Sequence, residues 1–224
     1  MKKISDPEKH RAYIQEYHLQ DYMDLDLMEI SELCSFEKNE YLIHAGEISD
    51  YLYFMVEGQV MVFSYTFDAK NTCINYLRES SIIGESGSLW QHPPTASVQT
   101  LTPCICVCIR LSLYRRALMN DVRFLQNVGL ILSYRLNNEI HVTNSLMEPM
   151  ELRLARFILE HTNAQNLFSF QLTTCALILN TSYRHLLRTI RSFCENDLLK
   201  KVHGGYMIPD RSRLESYLSQ QQQA

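Results

Sequence analysis

From residue 41 to residue 109 the apolar residues come in short runs separated by turn chemistry, and beyond Ser112 they recur every three or four positions. This change of period constrains the fold more than any other feature, because a strand alternates with period two and a helix with 3.6. The runs at 41–43, 51–56, 59–65 and 72–77, with a last run at 96–109 interrupted by Pro103, predict an antiparallel sandwich or barrel. The residues at 8–33 mix charge with Tyr, Leu, Ile and Met at helical spacing and predict one or two short amphipathic helices. After the barrel, Leu125, Val128, Leu132, Leu136 and Ile140 form one stripe on a helix predicted over 122–147, about 39 Å long. So long a stripe points to a partner helix across a parallel homodimer. Packing of the stripe on the chain's own barrel is the other reading.

A second segment begins at Glu148-Pro149, since proline suits the first turn of a new helix. An amphipathic helix is predicted at 151–161, a loop at 163–169, and two short helices at 172–179 and 182–194, split by Asn180-Thr181. Strands at 199–202 and 206–208 flank His203-Gly204-Gly205, where a tight turn needs positive φ, and the polar tail 219–223 reads as frayed. Helix, turn, helix and a two-stranded wing make a winged helix-turn-helix. Ala176 is small where the two helices cross, and Ser182 can cap the second. Tyr183, Arg184, Arg188 and Arg191 then project outward, with Leu186, Leu187 and Ile190 inward. Such a helix fits the major groove, where Arg pairs bidentately with guanine. Lys200 and Lys201 suit phosphate contacts, with Ser182 and His185 within reach of the DNA backbone.

The 224 residues carry a net charge of −4, an unpromising balance for holding a polyanion until it is split by position. Residues 1–149 carry −7 and residues 150–224 carry +3, so the basic charge lies where the reader is predicted. The charged start, MKKISDPEKH, predicts no secretory signal. The longest apolar stretches fall far short of the roughly 20 residues that cross a bilayer, so no membrane partner is expected. Seven cysteines without framework spacing predict reduced thiols and a cytoplasmic protein. No phosphate-binding loop, nucleophile elbow or paired-histidine metal motif is present, so no enzyme is expected.

Five stretches, LIHAGE at 42–47, YFMVEGQV at 53–60, IIGESG at 82–87, LRLARFIL at 152–159 and NTSYRHLLRTIRSF at 180–193, occur in an order that resembles the CRP/FNR superfamily. The likeness runs from about 42 to 208, and the SYRHLL stretch is most similar to the YeiL-type branch. The resemblance implies an α+β chain with an N-terminal antiparallel jelly roll of the cyclic-nucleotide-binding kind, a long dimerisation helix and a C-terminal winged helix. It implies an effector cavity at Gly84, Glu85, Ser86, Thr95, Ala96 and Glu139, with the Glu85 carboxylate receiving a ribose hydroxyl. The family's arginine for the cyclic phosphate precedes the small Thr95-Ala96 pair, where this chain has Pro94. A buried phosphate then lacks an obvious partner, so cyclic AMP is not the expected effector. Glu139 and Ile140 also depart from the small hydroxyl pair that touches the base. On the recognition helix the family's Arg-Glu pair becomes Tyr183-Arg184, with the later arginine kept as Arg188, which implies a different half-site.

Cys104, Cys106 and Cys108 alternate along one strand and share a face, with neighbours about 7 Å apart. They read as small buried hydrophobes or, with Cys34 or Cys73 adding a ligand, as a redox or iron–sulfur site. The N-terminal cysteine cluster of oxygen-sensing FNR proteins is absent. The expected organisation is a sensing barrel at 1–111, a dimerisation helix at 112–148 and a DNA-binding domain at 149–224. Together these describe a homodimeric transcription regulator that binds a palindromic double-stranded DNA site, with RNA polymerase as a further partner. An unidentified small-molecule effector or redox signal in the barrel would control it, and its cofactor is unknown. The alternative is a ligand-binding regulatory module that acts through protein partners rather than DNA.

Overall fold

The computed structural model describes residues 1–65, 71–78, 80–146 and 148–221, without the side chains of 65, 71, 138–146, 220 and 221. The chain divides into two compact units, Met1–Glu139 and Ile140–Ala224.

The first unit opens with β1 (Lys2–Ile4), α1 (Pro7–Glu16), a 3-10 turn (Leu19–Tyr22) and α2 (Leu27–Ile30). Eight further strands follow among the described residues: β2 (Ser31–Phe36), β3 (Tyr41–Ile43), β4 (Tyr51–Glu57), β5 (Gln59–Tyr65), β6 (Asn71–Arg78), β7 (Ser81–Ile83), β8 (Ser97–Thr100) and β9 (Cys104–Arg110). They form two antiparallel sheets, β1-β2-β9-β4-β7 and β3-β8-β5-β6, the strand order of a jelly roll. The first sheet is buried on both faces. Tyr53, Met55, Cys106 and Cys108 pack between the sheets with Cys34, Val60 and Val98. Leu52, Phe54, Val107 and Ile109 pack on the other face against Tyr13, Leu27, Leu118 and Phe124. A strand covered on both sides loses its polar alternation, which accounts for the runs YLYFMV and CICVCI.

The segment predicted as helical at 8–33 holds most of α1 and all of α2, but its end enters β2, a strand that its spacing does not predict. β2 (SELCSF) carries too few apolar residues to announce a strand and owes its place to pairing with β9 from Ser31–Ile109 to Phe36–Cys104. α3 (Leu111–Leu118) leads into α4 (Val122–Leu146). Asp121, 6% exposed, caps α4 by accepting from Phe124 N at 2.9 Å. Its other oxygen accepts from Asp24 N and Leu25 N at 2.7 and 3.1 Å, fastening the start of the helix to the barrel.

In the second unit, α5 (Met150–His161), β10 (Leu167–Phe168), α6 (Leu172–Ile178), α7 (Tyr183–Glu195), β11 (Lys200–Val202), β12 (Gly205–Met207) and α8 (Arg211–Gln221) enclose a separate core. That core contains Leu154, Ile158, Cys175, Leu186, Phe193 and Leu214. The small sheet runs β10-β12-β11. Of the two glycines in the wing turn, Gly204 has φ +83°. Gly205 is needed for another reason, since a Cβ there would lie 2.3 Å from the Phe168 carbonyl oxygen across the β10–β12 pairing. Of the tail expected to fray, 219–221 belong instead to α8, which is held by fully buried Leu214 and by Tyr217 edge-on to Phe193 at 5.7 Å, and 222–223 lie outside the described residues.

Candidate functional site

Two sites emerge, one in each unit. In the first, β7 is followed by Gly84, whose φ of +100° and close approach to Tyr51 O (a Cβ would sit 3.0 Å away) demand glycine. The turn places Glu85 at the mouth of a cavity of about 480 Å³ with Ser86, Ser88, Thr95, Ala96 and Leu132 in its lining. Gly84 and Pro94 also line it, so five of the six residues expected there converge. The side chain of Glu139 lies outside the described residues.

Arg135, which also lines the cavity, is a functional residue that sequence reasoning misses. It reaches in from α4, pairs through Nη1 with Glu85 Oε1 and donates through Nη2 to Ile82 O at 2.6 Å. Position 94 carries proline, as the sequence shows, but a guanidinium reaches the cavity from the helix instead. Its spacing, one helical turn before Glu139, is the available signal. Glu85 is 1% exposed. Burial pushes its carboxyl above the usual carboxylate range, with the Arg135 charge opposing. Glu85 Oε2 and Ser88 Oγ are buried with no hydrogen-bond partner among the described residues, two polar atoms turned to a cavity. The loop beneath is fixed by Trp90 Nε1 donating to Glu85 O at 2.7 Å and by Arg115 donating to Ser88 O and Leu89 O at 3.1 and 3.2 Å.

The stripe expected to meet a partner divides. Val128 is fully buried in the barrel core beside Phe124, and Leu125 and Leu132 pack partly against the same core. Asn127, next to this face, donates to Tyr22 O at 3.1 Å. Leu136 is instead exposed, with Leu130 and Tyr134, at 64%, 69% and 68%. The correction is physical: β4 and β9 present an apolar outer face that needs cover, and the first turns of α4 supply it. The Ile140 side chain lies outside the described residues.

Cys104, Cys106 and Cys108 are buried between the sheets with Cys34, which stands across from Cys106 in the β2–β9 register. Burial raises the thiols of Cys104, Cys106 and Cys108, while Cys34 is lowered because Cys108 donates a hydrogen bond to it. Among the described residues no group of three His, Cys, Asp or Glu could hold a metal ion.

In the second unit, α6 and α7 are joined through Asn180 at φ +47°, a conformation asparagine tolerates. Ser182 Oγ accepts from His185 N at 3.1 Å and starts α7. Ala176 is buried at the crossing, and Leu186, Thr189, Ile190 and Phe193 form the inner face of α7. Tyr183, Arg184, Arg188 and Arg191 face solvent, His185 is half-buried, and Lys200 and Lys201 are exposed on β11, the edge strand of the wing. Leu187 does not face inward. It is 38% exposed, and Thr189 takes the inner place, its hydroxyl donating to His185 O at 3.2 Å so that no polar atom is orphaned. A shallow groove on α7 is lined by Ser182, Tyr183, Arg184, Leu187, Arg188 and Arg191.

Comparison with known proteins agrees with this architecture. Residues 33–121 match the cyclic nucleotide-binding domain family. The chain is 27% identical over 190 residues to the regulatory protein YeiL of Escherichia coli O157:H7, spanning 84% of this chain and 86% of the relative. It is 31% identical over 120 residues to the cAMP-activated global transcriptional regulator CRP of Haemophilus influenzae, spanning 53% of this chain and 54% of that one. The fold is that of FixK2 from Bradyrhizobium japonicum, with a TM-score of 0.70 at 16% identity over 84% of this chain and 96% of that structure. No helix among the described residues is long and apolar enough to cross a membrane.

Proposed function

From the match of residues 33–121 to the cyclic nucleotide-binding domain family and the likeness to YeiL, we propose that the chain is a CRP/FNR-type homodimeric regulator reading a palindromic DNA site through two copies of α7. The observation that carries this reading is the outer face of α7, where Arg184 and Arg188 stand free one turn apart behind a Ser182 cap, on a helix whose other face is buried. Arg184, Arg188 and Tyr183 read base edges, while Ser182, His185, Lys200 and Lys201 hold the backbone. The exposed Leu130, Tyr134 and Leu136 on α4 support self-association. Functionally, 1–111 senses, 112–148 dimerises and 149–224 binds DNA, with RNA polymerase as the downstream partner. The location is cytoplasmic and the role regulatory, not enzymatic.

The effector site is the Glu85–Arg135 cavity, and its ligand is a small molecule other than cyclic AMP. An entering phosphate would have to take Arg135 from Glu85 and leave a buried carboxylate unpaired, which is costly. Ligand or redox occupancy shifts the population of α4 arrangements and with it the spacing of the reading helices. The test is selection of binding sites from random duplexes. A two-fold related pair of half-sites one helical turn apart is expected. Failure to retard any duplex at low salt would favour a module acting through protein partners.

A further inference from the structure

Leu187 is the one exposed large apolar residue of α7, besides Tyr183, and the DNA-reading roles leave it without a task. It lies among Tyr183 and Arg184, one turn before, Arg188 beside it and Arg191 one turn after. A leucine 38% exposed among three arginines is poorly placed for any apolar partner. The apolar area is too small for a protein or lipid surface, and the surrounding charge favours a polyanion. The major groove offers a chain in this position one apolar feature, the C5-methyl group of thymine.

We propose that Leu187 is a specificity-determining residue that selects a T·A pair in each half-site through the thymine methyl. The inference rests on the DNA-reading role of α7. The arrangement fits the geometry of such helices, whose N-terminal turns reach the base edges: Leu187 is the fifth residue of α7, and it and Tyr183, 47% exposed, form an apolar row beside the Arg184–Arg188 row. The two rows divide the labour, with cations meeting guanine acceptors and the apolar row meeting methyl groups. The outward leucine is built into the helix, because Thr189 completes the inner face with Leu186, Ile190 and Phe193 and leaves Leu187 outside it.

The experiment uses the full-length protein and its selected duplex, with each thymine replaced singly by deoxyuridine, which removes only the methyl group. Wild-type protein is expected to lose affinity about fourfold at one thymine per half-site, and about fifteenfold when both half-sites are changed, the equivalent of one buried methylene each. Leu187→Ala, a substitution an exposed helix position accepts, should bind the thymine and uracil duplexes equally, and Leu187→Ile should retain the discrimination. Equal wild-type affinity for all uracil-substituted duplexes, or discrimination that survives in Leu187→Ala, overturns the proposal while leaving DNA reading intact. Absence of binding to every duplex overturns the DNA-reading role itself, and this proposal with it.

Discussion

The barrel unit and the winged-helix unit treat charge in opposite ways. In the barrel, ionised groups are drawn inward and answered within the chain: Glu85 by Arg135, and Asp121 by three backbone N–H groups. In the winged helix, Arg184, Arg188, Arg191, Lys200 and Lys201 stand on the surface, and no ion pair joins them to an acidic side chain among the described residues. A buried ion carries a heavy desolvation cost and must find its partner at home, whereas an exposed one keeps its water and remains available to a phosphate. The net −7 on residues 1–149 and +3 on 150–224 express the same division in the sequence. The acidic body also discourages DNA from binding anywhere but the reader.

The largest effect should come from breaking the buried pair. Arg135→Leu is expected to destabilise the protein by about 3 kcal/mol, because it leaves Glu85 without its partner, as read by denaturant unfolding. A loss below about 0.5 kcal/mol would mean that the pair contributes nothing to the barrel. Next, Arg188→Ala should cost about 2 kcal/mol in binding to the selected duplex and relax the base preference at one position per half-site. Unchanged specificity in a repeated selection would remove Arg188 from base reading.

A smaller effect concerns pH. The folded pKa of Glu85 lies above its ordinary value of 4.5 because of burial, so its contribution to stability is present at low pH and declines as pH rises through the folded value. The stability of wild type relative to Glu85→Gln should therefore fall from pH 4.5 upward. A difference that grows with pH would show Arg135 overcoming desolvation. Smallest of all should be the chemical reactivity of the barrel thiols. Cys104, Cys106 and Cys108 are buried and held protonated, so iodoacetamide should label half-buried Cys194 first in native protein. Early labelling or oxidation of the barrel group would support redox sensing.

Periodicity exposes most of the architecture. The runs at 51–56 and 59–65 form β4 and β5, and the stripe beyond Ser112 forms α4, because burial of one element face imprints itself on adjacent residues. What escapes depends on contacts between distant residues. Arg135 and Glu85 are 50 positions apart, and beyond its place one helical turn before Glu139 nothing local marks an arginine on α4 as the occupant of a cavity opening after β7. The α4 stripe has the same apolar period whether its cover is a second chain or the outer face of β4 and β9, so period alone does not divide Val128 from Leu136. Leu186 and Leu187 are adjacent and about 100° apart on the helix. Which of them faces in turns on whether Thr189 can bury its hydroxyl, and His185 O settles that. For the cavity, the glycine and acid of IIGESG are readable, but the cation is not.

The division between an inward-paired barrel and an outward-facing reader is tested most directly by the salt dependence of DNA affinity. The logarithm of the association constant for the selected duplex should fall linearly with the logarithm of salt concentration, with a slope of about −0.9 for every phosphate contacted. Lys201→Ala should make that slope shallower by about one for each phosphate no longer held, whereas Arg123→Ala, on the barrel end of α4 beside Asp21 and Asp24, should leave it unchanged. A flat dependence, or a slope that responds to Arg123 and not to Lys201, would contradict the account.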